Sequence, residues 1–235
     1  FGAVPFLAQR WTELLIVLTI VTILYGNLCA IPQRNLKRLL GYSSIGNAGY
    51  LLLGISAATH AGQSAVLYYL LGYLFTVLAA FFVISIITRR AEDEDISILA
   101  GLHQRSPILA TTLALSMISL AGIPPLAGFF GKFLLLKSVV ERGAIDPLYW
   151  VLIGVAIFGI VASFYYYLGV VRAIYWSNDV PNKSAIAVPL PVRVALGACI
   201  AGMLFLGIFP GLAVEASNQA AAALGPAPIM RAAVP

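Results

Sequence analysis

Apolar residues dominate this chain in long stretches separated by short polar ones, and the pattern predicts six membrane-crossing segments. They cover about 11–31, 35–58, 63–88, 107–142, 147–176 and 191–209, each long enough as a helix to cross a hydrocarbon core of about 30 Å. The expected fold is all-α, a single transmembrane domain over 1–235. Residues 211–235 read as a peripheral tail, moderately helical to Leu224 and rich in Pro and Ala beyond it.

The fourth segment departs from the rest. From Pro107 to Val140 it is almost wholly apolar, and one continuous helix of that length would reach about 50 Å, too long for the bilayer. A break is written at its centre, Gly122-Ile123-Pro124-Pro125-Leu126-Ala127-Gly128. Pro124 and Pro125 remove two backbone donors, and Pro125 pushes Pro124 out of the α region. Gly122, Gly128 and Gly131 allow the backbone angles of a short unwound loop. Two half-helices follow, about 107–122 and 129–142. Unwound backbone at membrane depth is tolerated where protein buries it or where it lines a wet cavity, and broken helices mark ion or substrate sites in transporters. Lys132 lies on the first turn of the second half. A charged lysine at mid-membrane costs about 3 kcal/mol or more, and intramembrane charges are functional by default. The competing account is a side chain that snorkels to the surface, which suits Lys137 and Arg142 nearer the segment end.

Polar positions elsewhere are sparse. In the second segment Asn35 is placed to cap a helix. Helical spacing sets Lys37, Gly41, Ser44 and Ala48 on one face and Ser43, Asn47 and Tyr50 on another. Small residues let a neighbouring helix approach, and the polar ones bond across helices or hold water. Lys37 reads either as a positive-side anchor or as part of a proton path, Arg38 as an anchor. The third segment carries Tyr68, Tyr69, Tyr73 and Thr76, none titrating near neutral pH, so a path there relies on hydroxyls and water. Ser163-Phe164-Tyr165-Tyr166-Tyr167 reads as Tyr-rich packing, and Glu13 as an interfacial carboxylate. Glu92, Asp93, Glu94 and Asp95 form a solvated run able to contact a partner subunit, with His103 as an exposed loop residue.

Composition agrees with the pattern: 61% hydrophobic and 10% charged residues exclude an ordinary soluble protein. The net charge of +5 has a topological use and needs no nucleic-acid partner. Arg34, Lys37, Arg38, Arg89, Arg90, Arg105, Arg172, Lys183 and Arg193 flank one side, against Arg10, Lys137, Arg142 and Arg231 on the other, so the first side is expected to be cytoplasmic. Cys29 and Cys199 are isolated and suggest packing, not a disulfide or a metal site. No Gly-rich phosphate loop, Cys-x-x-Cys or HExxH occurs, so no cofactor bound by such a motif is expected. The chain opens on Phe1 without a signal-peptide pattern, and is expected to be the C-terminal part of something longer.

Two runs carry a resemblance: Asn35-Leu36-Lys37-Arg38-Leu39-Leu40-Gly41-Tyr42-Ser43-Ser44-Ile45-Gly46, and Leu120-Ala121-Gly122-Ile123-Pro124-Pro125-Leu126-Ala127-Gly128-Phe129-Phe130-Gly131-Lys132-Phe133. They resemble the antiporter-like membrane subunits of proton-translocating NADH–quinone oxidoreductase, respiratory complex I, and among these the subunit N family. The lysine in Gly-Phe-Phe-Gly-Lys-Phe favours subunit N over the sibling subunit M, which resembles this pattern with glutamate there. The resemblance extends over nearly the whole chain, as the last six of fourteen helices. It implies an antiporter-like bundle that contributes the outer half of a proton path driven by quinone reduction elsewhere. In that path Lys132 is the proton-exchanging residue, and Lys37 aligns with a family lysine of less certain role. The Gly122, Pro124, Pro125 and Gly128 loop, with Ser43, Ser44, Asn47 and Tyr73, would line or pack the path. The resemblance also implies that the inlet half lies in a preceding part of the subunit. This chain then works as a subunit of an enzyme without a redox site of its own, with NADH, flavin, iron–sulfur clusters and quinone bound by other subunits. Its partners are the other membrane-arm subunits, the lipid bilayer and protons. Its place is the bacterial inner membrane, multi-pass, or alternatively an organellar inner or thylakoid membrane. Other readings are an Mrp-type cation/proton antiporter subunit, a membrane-bound hydrogenase subunit, or a membrane scaffold without an ion path.

Overall fold

The computed structural model describes residues 5–91, 93–177 and 184–224, with side chains from residue 10 onward. Glu92, Lys183 and Arg231, and the tail beyond Leu224, lie outside the described residues. The described elements are helical: α1 (Pro5–Ala30), α2 (Leu36–Ser56), α3 (His60–Ala91), a 3-10 turn (Ile96–Leu99), the one-turn α4 (Leu102–Arg105), α5 (Pro107–Ala121), α6 (Ala127–Gly143), α7 (Leu148–Trp176), α8 (Leu190–Ile208) and α9 (Pro210–Ala223). Arg10–Ala30 of α1, and α3, α7 and α8, are long and apolar enough to cross a membrane. Over its 21 residues α2 carries Lys37, Arg38 and the Ser/Asn run.

Helix α3 is the hub, packing against α2, α5, α6, α8 and α9, while α1 lies along α2 and α7. Helices α1 and α2 approach closely, so that a side chain at Gly26 would overlap the backbone of Gly46. Two glycines facing each other let helix backbones nearly touch, which is how membrane helices gain dispersion energy without a hydrophobic drive. The small-residue face that packs is thus Gly46 and Gly49, not Gly41, around which nothing lies within 4 Å. Ser43, Asn47 and Tyr50 share the buried side.

Two large apolar clusters fill most of the interior, with smaller ones around Tyr68 and Met203. One gathers Leu36, Leu39 and Leu40 at the start of α2 with Val83, Ile84, Ile87, Leu109, Leu113 and Tyr167. The other gathers Tyr50 and Leu53 further along α2 with Ile16, Ile23, Leu135, Val139 and Leu152. Deeply buried tyrosines find partners for their hydroxyls, as the low dielectric requires. Tyr149 donates to the Ser56 carbonyl at 2.7 Å and Tyr68 to the Leu206 carbonyl at 2.6 Å. Helix α9 packs on α3, burying Ala213, Ser217 and Ala221, and Ser64 donates to Asn218 Oδ1 at 2.6 Å.

At the start of α2, Asn35 Oδ1 accepts the Arg38 N–H at 2.9 Å, the expected cap. The acidic loop does not float free. It folds back as an antiparallel bridge, with Leu36 N–H on the Glu94 carbonyl and Ile96 N–H on the Arg34 carbonyl, both at 2.8 Å. His103 is half-buried instead of exposed: its Nδ1 lies 2.9 Å from the Ile174 carbonyl and its ring stacks on Tyr175.

Candidate functional site

The break in the fourth segment falls where the prolines and glycines put it, with α5 ending at Ala121 and α6 starting at Ala127. Helix α6 starts two residues earlier than the glycine spacing suggests. Gly128 stays helical because its N–H is taken by Ser119 Oγ of α5 at 3.3 Å, and Thr76 on α3 holds that hydroxyl at 3.1 Å. Pro124 and Pro125 are exposed, with a cis bond between them. A side chain at Gly207 of α8 would overlap the backbone of Pro125 and Leu126, so α8 lies directly against the loop.

A helix end leaves its last four carbonyls without intrahelical partners. In α5 these belong to Ile118, Ser119, Leu120 and Ala121, and all four are satisfied. Gly122 takes the left-handed conformation, φ 88 and ψ 42. That turn brings the Ile123 N–H to the Ile118 carbonyl at 3.2 Å and the Gly122 N–H to the Ser119 carbonyl at 2.9 Å, a Schellman closure. Lys132 takes the other two. Its Nζ donates to Leu120 O at 2.7 Å and Ala121 O at 3.3 Å, and lies 4.9 Å from the centre of the Tyr50 ring. Lys132 is 4% exposed and does not snorkel. An ammonium has three donors, here set against two carbonyls and an aromatic face. The negative end of the α5 dipole points at the same nitrogen. Carbonyl oxygens accept from a neutral amine as well as from an ammonium, so this docking tolerates loss of the proton.

A layer of polar side chains crosses the bundle beside this lysine. Asn47 Nδ2 donates to the Ser43 carbonyl at 2.9 Å and reaches Ser43 Oγ and Tyr167 OH at 3.3 Å, while Ser43 and Tyr167 hydrogen-bond each other. On its other side Asn47 Oδ1 accepts from Tyr69 OH at 2.6 Å. Tyr73 donates to Ser44 Oγ at 3.0 Å, and Tyr166 to Asn27 Oδ1 at 2.9 Å. Ser43, Ser44, Asn47 and Tyr73 are thus brought together. Tyr69, one of the third segment's expected hydroxyls, joins the layer, while Tyr166, Tyr167 and Asn27 complete it and were not expected there. The fifth segment's Tyr run is part of this network, except Tyr165, which is 71% exposed.

Lys37 sits apart. Thirteen residues along α2 separate it from Tyr50, about 20 Å. Its Nζ lies 2.5 Å from Glu94 Oε1, and Asn35 Nδ2 donates to Glu94 Oε2 at 2.8 Å. Hydrogen bonds from Lys37 and then Asn35 hold the Glu94 carboxyl below its usual range. Asp95 is likewise lowered, first by the Ser97 backbone N–H and with a smaller share from Arg34, 3.2 Å away. A cavity of about 620 Å³ opens here, lined by Lys37, Ser85, Thr88, Arg89 and Glu94 among others.

Comparison with known proteins places these features in context. Residues 2–160 match the family described as NADH:quinone oxidoreductase/Mrp antiporter, transmembrane. The chain is 43% identical over 213 residues to NADH-quinone oxidoreductase subunit N of Moorella thermoacetica, covering 89% of this chain and 43% of that one. It is 40% identical over 222 residues to the subunit N of Desulforamulus reducens, covering 94% and 44%. Among solved structures it is similar to a chain of respiratory complex I from Thermus thermophilus, with TM-score 0.74 and 34% identity, over 86% of this chain and 45% of that one. The chain therefore spans somewhat under half the length of the curated relatives it matches.

Proposed function

We infer, since this chain belongs to the NADH:quinone oxidoreductase/Mrp antiporter transmembrane family, that it forms the outer half of a proton path in a subunit N of NADH–quinone oxidoreductase. The chain is an all-helical, multi-pass membrane protein. The observation that carries the reading is the buried Lys132, docked on the two free carbonyls that end α5. A lysine held by carbonyls, with no carboxylate bonded to it among the described residues, is free to change its charge when a neighbouring charge arrives or leaves. Lys132 is the proton-exchanging residue of this proposal, and the Gly122–Gly128 break is what presents the carbonyls to it. The hydroxyls and amide of Ser43, Ser44, Asn47 and Tyr73 line its inner side. Lys37, tied to Glu94, sits at the cytoplasmic end of α2, about 20 Å from Tyr50. The redox cofactors and quinone belong to other subunits, the partners are the neighbouring membrane-arm subunits, and the location is a bacterial inner membrane.

The test is proton uptake by vesicles holding the assembled complex, driven by NADH, with assembly checked on a native gel. Lys132→Met keeps the apolar stem but orphans the Leu120 and Ala121 carbonyls, a cost of about 1–3 kcal/mol for each. Driven uptake is expected to be lost in Lys132→Met and partly kept in Lys132→Glu, which still titrates. Uptake in Lys132→Met equal to the parent overturns the proposal. The family description also covers Mrp antiporters; sodium-dependent proton exchange without NADH would move the reading to that branch.

A further inference from the structure

Among the described residues, Lys132 is the only Lys, Arg, Asp or Glu that is buried. No described carboxylate is bonded to it. The next charge along α6 is the exposed Lys137, which lies 3.9 Å from Glu141. The buried titratable side chains on the helices packed against α6 are Tyr50 on α2, Tyr68 and Tyr69 on α3, Tyr149, Tyr166 and Tyr167 on α7, and Cys199 on α8, while α5 has none. Tyrosine and cysteine carry no charge near neutral pH. The balance between ammonium and amine at Lys132 is therefore left to dipoles and to ring faces.

The Leu120 and Ala121 carbonyls are backbone and accept from either form. The remaining contact is a side chain. Nζ sits over the Tyr50 ring, 4.9 Å from its centre, within the reach of about 6 Å at which a ring face attracts a cation. That face draws an ammonium and offers a neutral amine only a weak N–H···π contact. The Tyr50 hydroxyl takes no part, because it donates to the Ala156 carbonyl at 3.1 Å. This bond fixes the ring from α7. Gly159 gives the hydroxyl its room, since a Cβ there would lie 2.8 Å from it.

We propose that Tyr50 is a positioning residue whose ring favours the protonated form of Lys132 and so sets the pH at which this lysine gives up its proton. A carboxylate in the same place would hold the charge fast, whereas a ring biases it and still lets it go. This rests on Lys132 as the exchanging group.

The experiment reads proton uptake per NADH oxidised against pH, in vesicles holding the assembled complex with its full-length chain. Dividing by NADH oxidised removes the pH dependence of the redox steps. The ratio falls at high pH, where Lys132 no longer regains its proton. Tyr50→Leu removes the ring, and Tyr50→Met, whose flexible side chain fills irregular space, is the second ring-less variant. Both are expected to move the alkaline limb to lower pH by about one unit, about tenfold in proton affinity. Tyr50→Phe keeps the ring and drops the hydroxyl, so its limb should lie on the parent's. A merely structural role would lower the ratio at every pH without moving the limb. An unmoved limb in the ring-less variants, or a limb that moves as far in Tyr50→Phe, overturns the proposal. Lys132→Met in the same vesicles keeps the two readings apart. Parent-level uptake there removes the lysine reading itself, while lost uptake there with an unmoved limb in Tyr50→Leu and Tyr50→Met removes only the role of Tyr50.

Discussion

Gly122→Ala tests the break at the point where backbone and lysine meet. Gly122 holds φ 88, where an L residue costs about 1–2 kcal/mol. A Cβ built there lies 3.1 Å from Lys132 Cδ and 3.8 Å from Nζ. Two penalties follow, one of strain and one of crowding, and a second variant separates them. Asparagine visits the left-handed region more readily than alanine, but its Cβ occupies the same place. In the assembled complex, Gly122→Ala is expected to lower unfolding free energy by about 1–2 kcal/mol and to reduce driven proton uptake. Gly122→Asn should recover most of the stability and little of the uptake. The paired assays are denaturant unfolding in detergent and dye-monitored uptake in vesicles. If Gly122→Asn restored uptake along with stability, the glycine would serve the turn alone and the contact with Lys132 would carry no functional weight. An alanine variant indistinguishable from the parent in both assays would refute the strain argument as well.

The loop bridge to α2 should be sensitive to acid. Glu94 and Asp95 have lowered folded-state carboxyl pKa values, so their contribution is complete above the ordinary carboxylate range and is lost as pH falls through the folded values. Hydrogen exchange at the Leu36 and Ile96 amides should therefore show protection at neutral pH that weakens below about pH 4, and Glu94→Gln should weaken it at neutral pH too; unchanged protection in both would refute the clamp. For topology, a cysteine at the exposed Ser97, with Cys29 and Cys199 replaced, should be labelled by an impermeant thiol reagent from the cytoplasmic side alone, and labelling from the other face of sealed vesicles would reverse the assignment.

What the sequence made legible was set by local chemistry. The spans follow from apolar length, and the break from two prolines and flanking glycines, so α5 and α6 fall within two residues of expectation. The burial of Lys132 was legible because its place just after the proline break leaves it far from the segment's ends. What stayed hidden depends on partners far away in the chain. The two polar faces of α2 were readable, but Ser43 and Ser44 look alike until Tyr167 and Tyr73 arrive from α7 and α3. The Tyr run in α7 reads as packing because nothing near it in sequence shows Asn27 or Asn47 waiting for its hydroxyls. The acidic run reads as solvated because its basic partners, Arg34 and Lys37, lie some sixty residues earlier.

The central claim, that Lys132 works by changing its charge, meets its most direct test in Lys132→Arg. Arginine keeps the positive charge and the donors that reach the Leu120 and Ala121 carbonyls, but with a pKa above about 12 it does not release its proton. NADH-driven proton uptake by vesicles holding the assembled arginine variant should fall to a small fraction of the parent's. An arginine variant that pumps like the parent would contradict the account, because a permanent charge on those carbonyls would then suffice.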